Sequence, residues 1–137
     1  AVIAPENSSL LGLVSVVAPA IAGGNVCVVL ASSSKPLCSI TWAEVLHSSD
    51  VPAGVVNILT GDRNELLKHF SSHMDVNALV YCGEKMKEIR TIEKMSSLNV
   101  KRAVIYQNPD WNPDTFQGPY YILDTQEIKT TWHPIGI

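Results

Sequence analysis

The sequence predicts an α/β fold, with a parallel β-sheet covered by helices on both faces and an extended tail at the C-terminal end. Short β-rich runs alternate with helical patterns from the first residue onward. The uncharged run Asn25–Ala31 is typical of a strand buried on both faces of a parallel sheet. The segment Val51–Gly61 combines a Pro-Gly turn, an apolar strand and a closing glycine. A strand that ends at glycine and leads into a helix is typical of nucleotide-binding α/β units.

Five strand patterns and four helix patterns follow one another along the chain. The predicted strands are Ala1–Ala4, Asn25–Ala31, Val55–Thr60, Ala78–Cys82 and Lys101–Gln107. The predicted helices are Ser8–Ala22, Lys35–Ser48, Asn64–His73 and Glu84–Leu98. Since a helix separates each strand from the next, this order favours three layers, with the sheet in the middle.

Local signals support each helix. Gly23-Gly24 should end the first helix and Pro36 should begin the second, while Asp62 or Asn64 can cap the third. The residues expected to face inward on the second helix are Leu37, Ile40, Val45 and Leu46, and those on the fourth are Met86, Ile89, Ile92 and Met95.

The pattern changes at Asn108. Prolines and glycines make residues 108–118 a turn-rich connector, and Tyr120–Trp132 has the character of an extended segment. We therefore divide the chain into a domain (1–107), a connector (108–118) and an association tail (119–137). We expect the tail to dock elsewhere or to pair with another chain. The aromatic residues of the connector and tail are expected to cover the sheet, rather than to form a partner-binding patch; they are Trp111, Tyr120, Tyr121 and Trp132.

Composition narrows the class of protein. The chain has 137 residues, 46% of them apolar, and a net charge of −3, which indicates one globular domain and argues against a nucleic-acid partner. The apolar run Leu10–Ala22 is too short to span a membrane comfortably, and we expect a buried helix there. The absence of an initiator methionine and of a basic leader indicates a fragment or processed product and not a signal peptide.

Cysteine and histidine placement favours a reduced, cytoplasmic protein without a metal site. Cys27, Cys38 and Cys82 lack metal-ligand spacing and lie in largely apolar stretches. His69 and His73 are one helical turn apart, but no third ligand is evident in the sequence.

Several pieces, in order, resemble the aldehyde dehydrogenase superfamily. Ala1–Pro5 followed by Asn7 is similar to the family's opening strand and its Pro-Trp-Asn turn, with Glu6 in place of the tryptophan. Ala18–Val29 is similar to its buried helix and second strand, and Pro52–Gly61 to its glycine-valine-valine-asparagine segment. Ser72–Val76 followed by Gly83 is similar to the approach to the cofactor glycine, and Tyr121–Thr131 to the closing extended segment. The chain most resembles the degenerate second domain of the two-domain, family-16 aldehyde dehydrogenases. The resemblance implies a Rossmann-like, NAD(P)-binding fold and oxidation of aldehydes to carboxylic acids.

The same resemblance implies that the catalytic parts are missing. The family's nucleophilic cysteine belongs to a catalytic domain for which this chain has no room, and none of its three cysteines takes that position. Tyr106 stands where the family has its glutamate base, and a phenol is a poor base at neutral pH. Asn7 matches the family's oxyanion-stabilising asparagine, and we favour a structural turn role for it.

The cofactor positions implied by the resemblance are degenerate. Leu30 and Ser33 replace the lysine and glutamate that hold the adenosine ribose. At the ends of the next two strands, Gly61 and Gly83 are retained. Glu84 and Glu88 replace the serine and second glycine of the pyrophosphate signature, and a carboxylate there repels phosphate. Arg63 replaces a small residue near the adenine side.

Three hypotheses follow. The first is a non-catalytic domain, without cofactor, that acts in assembly or binds a protein partner or a second copy through its tail. The second is a residual NAD(P)-binding module of an aldehyde dehydrogenase. The third is a chain from which internal residues were deleted.

Overall fold

The computed structural model describes residues 1–136 and confirms the predicted α/β fold. The strands are β1 (Val2–Ile3), β2 (Cys27–Leu30), β3 (Val56–Leu59), β4 (Ala78–Cys82) and β5 (Arg102–Tyr106). The helices are α1 (Leu11–Ala22), α2 (Pro36–His47), α3 (Arg63–Ser72) and α4 (Met86–Ser97). All strand pairs are parallel, and the sheet has the order β3-β2-β1-β4-β5.

The short central strand β1 lies between two apolar layers. Val2 pairs with Val29 and Val80, and these side chains face α1 on one side of the sheet. Ile3 points to the other side, where it packs among side chains from β4, α3 and α4. Because successive side chains of a strand alternate between faces, this two-residue strand contributes to both cores.

Helix α1 packs on the side of the sheet that Val2 faces. Its buried residues are Gly12, Leu13, Ser15, Val16, Val17 and Ala20. A Cβ at Gly12 would lie 2.7 Å from Cγ of Pro5 and 2.8 Å from Nε1 of Trp111, so only glycine allows this approach. The chain leaves the helix through Gly23 and Gly24, and Gly24 has φ of +84°.

The predicted inner face of α2 was wrong for three of its four residues. Leu37, Ile40 and Val45 are 79%, 41% and 55% exposed, whereas Leu46 is half-buried. The buried residue of this helix is Ser39. The physical reason is the position of α2, which packs beside the edge strand β3. At the edge of a sheet a helix has less surface to pack against than at its centre, so fewer of its side chains are buried. Ile89 and Ile92 of α4 are buried as predicted, whereas Met86, in the first turn of that helix, is 54% exposed.

Side chains form hydrogen bonds with unpaired backbone groups at both ends of α3. The carboxylate of Asp62 accepts a hydrogen bond from the backbone N–H of Asn64 at 2.6 Å, so Asp62 is the cap. At the other end, the buried ammonium of Lys101 donates to the carbonyls of Phe70, Ser71 and His73 at 2.8–2.9 Å. A cation at this position also complements the negative end of the helix dipole.

The tail begins differently from its predicted extended form. Asp114–Gln117 and Pro119–Thr125 form 3-10 helices, and the backbone becomes extended at Gln126. Residues 111–126, hereafter the α1 cover, follow α1 from one end to the other. The side-chain amide of Gln117 donates to the Ser15 hydroxyl at 3.0 Å, and that of Gln126 donates to the Gly23 carbonyl at 2.9 Å.

Residues 127–136 have no regular secondary structure, and Ile137 lies outside the described residues. The expectation that the aromatic residues cover the sheet is correct for Trp111, which is 4% exposed, but wrong for Tyr120 and Trp132, which are 79% and 90% exposed. Across residues 1–136, no helix has the length and apolar character needed to cross a membrane.

Candidate functional site

The candidate site lies at the carboxyl ends of β1, β2 and β4. The chain runs from β1 outward to β3 in one direction and from β4 to β5 in the other, so the strand order reverses between β1 and β4. In open α/β sheets, ligands bind in the crevice at this reversal. The residues of interest in this structure are those that follow these strands and those that begin α3 and α4.

Glu6, just beyond β1, is held by the serine run that follows β2. Its carboxylate accepts hydrogen bonds from the hydroxyls of Ser32 and Ser34 at 2.7 and 2.8 Å. It also accepts from the backbone N–H groups of Ser33 and Ser34 at 3.0 and 3.2 Å. Burial opposes ionisation of Glu6, but these four hydrogen bonds outweigh it and lower the pKa to about 2.

Arg63, at the start of α3, crosses the same edge of the sheet. It is 7% exposed. Its Nη2 donates to the carbonyl of Ala4 at 2.6 Å and lies 3.1 Å from Oε1 of Glu6. Its guanidinium also lies over the ring of Tyr81, 5.8 Å from the centroid. Its Nε has no hydrogen-bond partner among residues 1–136.

Glu88, in the first turn of α4, completes the charged group. Its carboxylate accepts a hydrogen bond from the Tyr81 hydroxyl at 2.8 Å and lies 3.2 Å from Nζ of Lys85. The distance from Glu88 to Nη1 of Arg63 is 3.9 Å. Burial and the hydrogen bond to Glu88 raise the pKa of Tyr81. We call Glu6, Arg63, Lys85 and Glu88 the crevice cluster.

The residues predicted to face a cofactor are distributed unevenly around this cluster. Leu30 is fully buried, in the core on the α3 and α4 side of the sheet. Ser33 is exposed, with its N–H bound to Glu6, while Gly61 and Glu84 are exposed in the loops after β3 and β4. A Cβ at Gly83 would lie 2.6 Å from the Tyr81 hydroxyl, which gives this glycine a packing role.

The residues matched to catalytic positions lie in polar or packed surroundings. Asn7 is exposed, and its carbonyl accepts a hydrogen bond from Nζ of Lys35 at 3.3 Å. The hydroxyl of Tyr106 donates to the carboxylate of Asp124 in the α1 cover. Burial, and after it the contact with Asp124, raises the pKa of Tyr106. Its ring meets those of Trp111 and Tyr121 edge to face.

The cysteines are separated. Cys27 and Cys82 are buried in the core on the α1 side, and burial raises the pKa of the Cys82 thiol to about 12. Cys38 is exposed on α2. In the part of the chain that the structure describes, no three or more His, Cys, Asp or Glu side chains are grouped to hold a metal ion.

A cavity lies at the other end of the sheet. It has a volume of about 890 Å³ and is lined by the amino ends of β1, β2 and β4, with Asn77, Arg102 and Glu127 among its polar residues. None of the predicted site residues lines it.

Sequence reasoning missed the pairing of Glu6, Arg63 and Glu88. Each was visible as a departure from the resembled pattern, at the tryptophan, a small residue and the second glycine respectively. The signal that could have revealed the cluster is the joint appearance of two carboxylates and one guanidinium at positions around one crevice.

Comparison with known proteins agrees with this fold. Residues 1–106 match a model of the aldehyde dehydrogenase family. A hydroxyisobutyraldehyde dehydrogenase from Mycolicibacterium austroafricanum is 37% identical over 59% of this chain and 16% of its own length. An aldehyde dehydrogenase from Emericella nidulans is 27% identical over 98% of this chain and 26% of its own length.

A solved structure shows the same architecture. A mutant of aldehyde dehydrogenase C from Pseudomonas syringae, in complex with NAD+ and octanal, superimposes with a TM-score of 0.72. It is 28% identical and is matched over 76% of this chain and 21% of its own length. The chain therefore spans about a quarter or less of the length of these relatives. With a family model matched over residues 1–106 and the same sheet in a solved relative, this chain belongs to the aldehyde dehydrogenase family.

Proposed function

We propose that this chain is a non-catalytic aldehyde dehydrogenase domain that acts in assembly or partner binding and does not bind NAD(P). The observation that carries the proposal is the crevice cluster, because it places carboxylates where a dinucleotide would need hydrogen-bond donors and open space. The chain's own residues do not fit the cofactor that the family implies.

The phosphate side of the crevice supports this reading. The N-terminus of a helix attracts phosphate through its N–H groups and dipole. In α4 the carboxylate of Glu88, only 12% exposed, lies in that first turn and is bound by Tyr81 and Lys85. A phosphate would have to displace a carboxylate that already has its partners.

The ribose side supports it in the same way. The backbone N–H groups of Ser33 and Ser34 donate to Glu6 and are not free for a ligand. Leu30 is buried and offers no polar atom from its side chain.

The positions matched to catalysis also favour a non-catalytic domain. The Tyr106 hydroxyl donates a hydrogen bond to Asp124 and its pKa is raised, so even less of the phenolate that could act as a base forms at neutral pH than in an ordinary tyrosine. A reactive thiol needs a lowered pKa, whereas burial raises the pKa of Cys82.

Calorimetric titration of the chain with NAD and with NADP tests the proposal. We expect no saturable heat at millimolar cofactor, and no reduction of NAD or NADP when a panel of aldehydes is added. Saturable binding with a dissociation constant below about 100 μM would contradict the absence of a cofactor site, because such a ligand contributes about 5.5 kcal/mol of binding free energy.

The alternative is a residual NAD(P)-binding module of an aldehyde dehydrogenase. Its specific support is the retained glycine at the end of β4 and the solved relative that holds NAD+. The two functions give opposite results in the same titration.

A role in assembly is supported by exposed apolar side chains at two places, Leu37 on α2 and Ile128 and Trp132 beyond the α1 cover. Sedimentation velocity of the full chain and of a chain ending at residue 126 tests whether residues 127–137 associate. The cut leaves the α1 cover in place, so a change of mass reports association and not loss of fold. A monomer in both cases would reject self-association through this segment.

A further inference from the structure

The two edges of the sheet differ in how they are protected. Edge strands expose unpaired backbone groups, and proteins commonly protect them with charged residues, prolines, bulges or a covering segment. At one edge, β5 starts with the exposed Arg102 and ends at Tyr106, which is bound to the α1 cover. At the other edge, β3 lies in residues 51–61, which have no charged side chain, and it pairs with β2 without a bulge. The edge at β3 is therefore open for pairing.

The unpaired backbone groups of β3 form a regular row. The carbonyls of Val55 and Leu59 accept hydrogen bonds from N–H groups of β2 and of the residue after it, at 2.7 and 2.9 Å. Because the direction of the peptide groups alternates along a strand, the N–H and C=O groups of Val56, Ile58 and Thr60 point away from β2. Among residues 1–136, no strand pairs with this side of β3.

The side chains around this edge are apolar and partly exposed. Trp42 packs against the core on the α1 side, which places α2 beside β3 on that face of the sheet. Ile40 and Val45 of α2 are exposed there, and Leu59 is exposed on the opposite face. Exposed apolar side chains on both sides of an unpaired strand are typical of an association surface.

We propose that β3 pairs with β3 of a second copy of this chain, antiparallel about a twofold axis at Ile58, so that the two sheets become one continuous sheet. In this register Ile58 meets its own copy, and Val56 meets Thr60 of the partner subunit. Every outward N–H group of the row then faces a carbonyl. The proposal deepens the assembly role proposed above, and rests on it, because it names the surface and the partner.

Charge and symmetry both favour a second copy as the partner. In a twofold interface each surface meets a copy of itself, so a charged edge would meet its own charge. Residues 51–61 bring no charge to the axis. Antiparallel pairing of β3 with itself also closes into a dimer, whereas pairing of β3 with β5 of the next copy would leave edges open and build a filament.

Sedimentation velocity of the full chain, with a charge exchange at Leu59, tests the proposal. We expect the wild-type chain to reach twice the monomer mass at micromolar concentrations. Leu59→Lys and Leu59→Glu each place like charges about 7–8 Å apart across the axis, so each variant alone should be a monomer. An equimolar mixture of the two should dimerise, because opposite charges then meet. The control Leu98→Lys, at an exposed position just beyond α4, should keep the wild-type mass.

Thr60→Pro is a second variant, which keeps the test valid if the Leu59 variants do not fold. Thr60 is exposed, and proline removes only its outward N–H group, so the pairing with β2 is retained. The dimer loses two hydrogen bonds, one from each copy, and the dissociation constant should rise by about 30-fold. Circular dichroism checks that each variant is folded.

Three results would overturn the pairing of β3 with itself. They are a monomeric wild-type chain, species larger than a dimer, and a mixture of the folded Leu59 variants that stays monomeric. An unchanged dimer in Thr60→Pro, together with a monomer in the chain ending at residue 126, would assign association to residues 127–137 and would also overturn it. Saturable heat from NAD would instead contradict the proposed function while the dimer persists, so the two failures are distinguishable.

Discussion

Replacing Lys101 with methionine is expected to destabilise the fold strongly. Lys101 is 8% exposed, and its ammonium donates hydrogen bonds to three carbonyls at the end of α3. Two of these hydrogen bonds are buried. Methionine keeps the apolar stem and removes all three donors. A buried carbonyl left without a partner costs about 1–1.5 kcal/mol, and the lost charge at the helix end adds about 0.5 kcal/mol.

The sum is a loss of about 3 kcal/mol in the free energy of unfolding. Burial lowers the pKa of Lys101, which means that desolvation of the ammonium already offsets part of its hydrogen-bond energy. For a chain of 137 residues, a loss of this size lowers the Tm by about 10 °C.

Urea unfolding followed by circular dichroism measures this change directly. Lys94→Met is the matched control, because Lys94 is an exposed residue in the last turn of α4. We expect the control to stay within about 0.5 kcal/mol of the wild-type chain. If Lys101→Met also stays within that limit, the reasoning that these carbonyls need Lys101 is refuted.

Three smaller predictions use other features. Val100 has φ of 55° and is 94% exposed, so its backbone is strained and Val100→Gly should raise the free energy of unfolding by about 1 kcal/mol. The control Val26→Gly, at an exposed position with ordinary φ, should lower that free energy. A lower free energy of unfolding in Val100→Gly would contradict the strain at this residue. Glu6 has a pKa lowered from 4.5 to about 2, so its stabilisation is present above pH 4.5 and is lost as the pH falls toward 2. Because its side chain is 37% exposed, we expect Glu6 to contribute about 1–2 kcal/mol to the free energy of unfolding. Glu6→Gln should remove this part of the pH dependence, measured by urea unfolding between pH 2 and 6. The same pH dependence in Glu6→Gln and the wild-type chain would contradict this role of Glu6. Tyr106→Phe, which removes the bond to Asp124, should cost about 1 kcal/mol and speed proteolysis after β5; equal cleavage rates would show that this bond does not hold the α1 cover.

The sequence was sufficient to predict the order of the strands and helices, but not which face of each helix is buried. Asn25–Ala31 and Ala78–Cys82 are apolar runs whose burial follows from composition alone, and both became strands. The apolar residues of α2 look the same in sequence whether the helix lies over the centre of a sheet or beside its edge strand. Only the position of β3 at the edge decides that Leu37 is exposed.

For a related reason, the sequence shows the charged residues of the crevice cluster as departures but does not show that they are in contact. Glu6 and Arg63 are 57 positions apart, and their contact depends on β1 lying at the centre of the sheet and on where α3 begins. Local patterns carry no information on this distance. The strand ends, by contrast, follow from local patterns, and Ser33 and Gly83 lie after β2 and β4 as the sequence predicts. Their assignment to a cofactor site stays a prediction.

The α1 cover has a consequence for how the chain is made. Its hydrogen bonds to Ser15, Gly23 and Asn25 join residues 102, 103 and 100 positions apart. At a synthesis rate of about 5–20 residues per second, α1 would leave the ribosome roughly 5–20 seconds before the segment that covers it. During that interval the outer side of this largely apolar helix is not yet covered by residues 111–126. The nascent domain is therefore expected to depend on chaperones most strongly before residue 126 emerges.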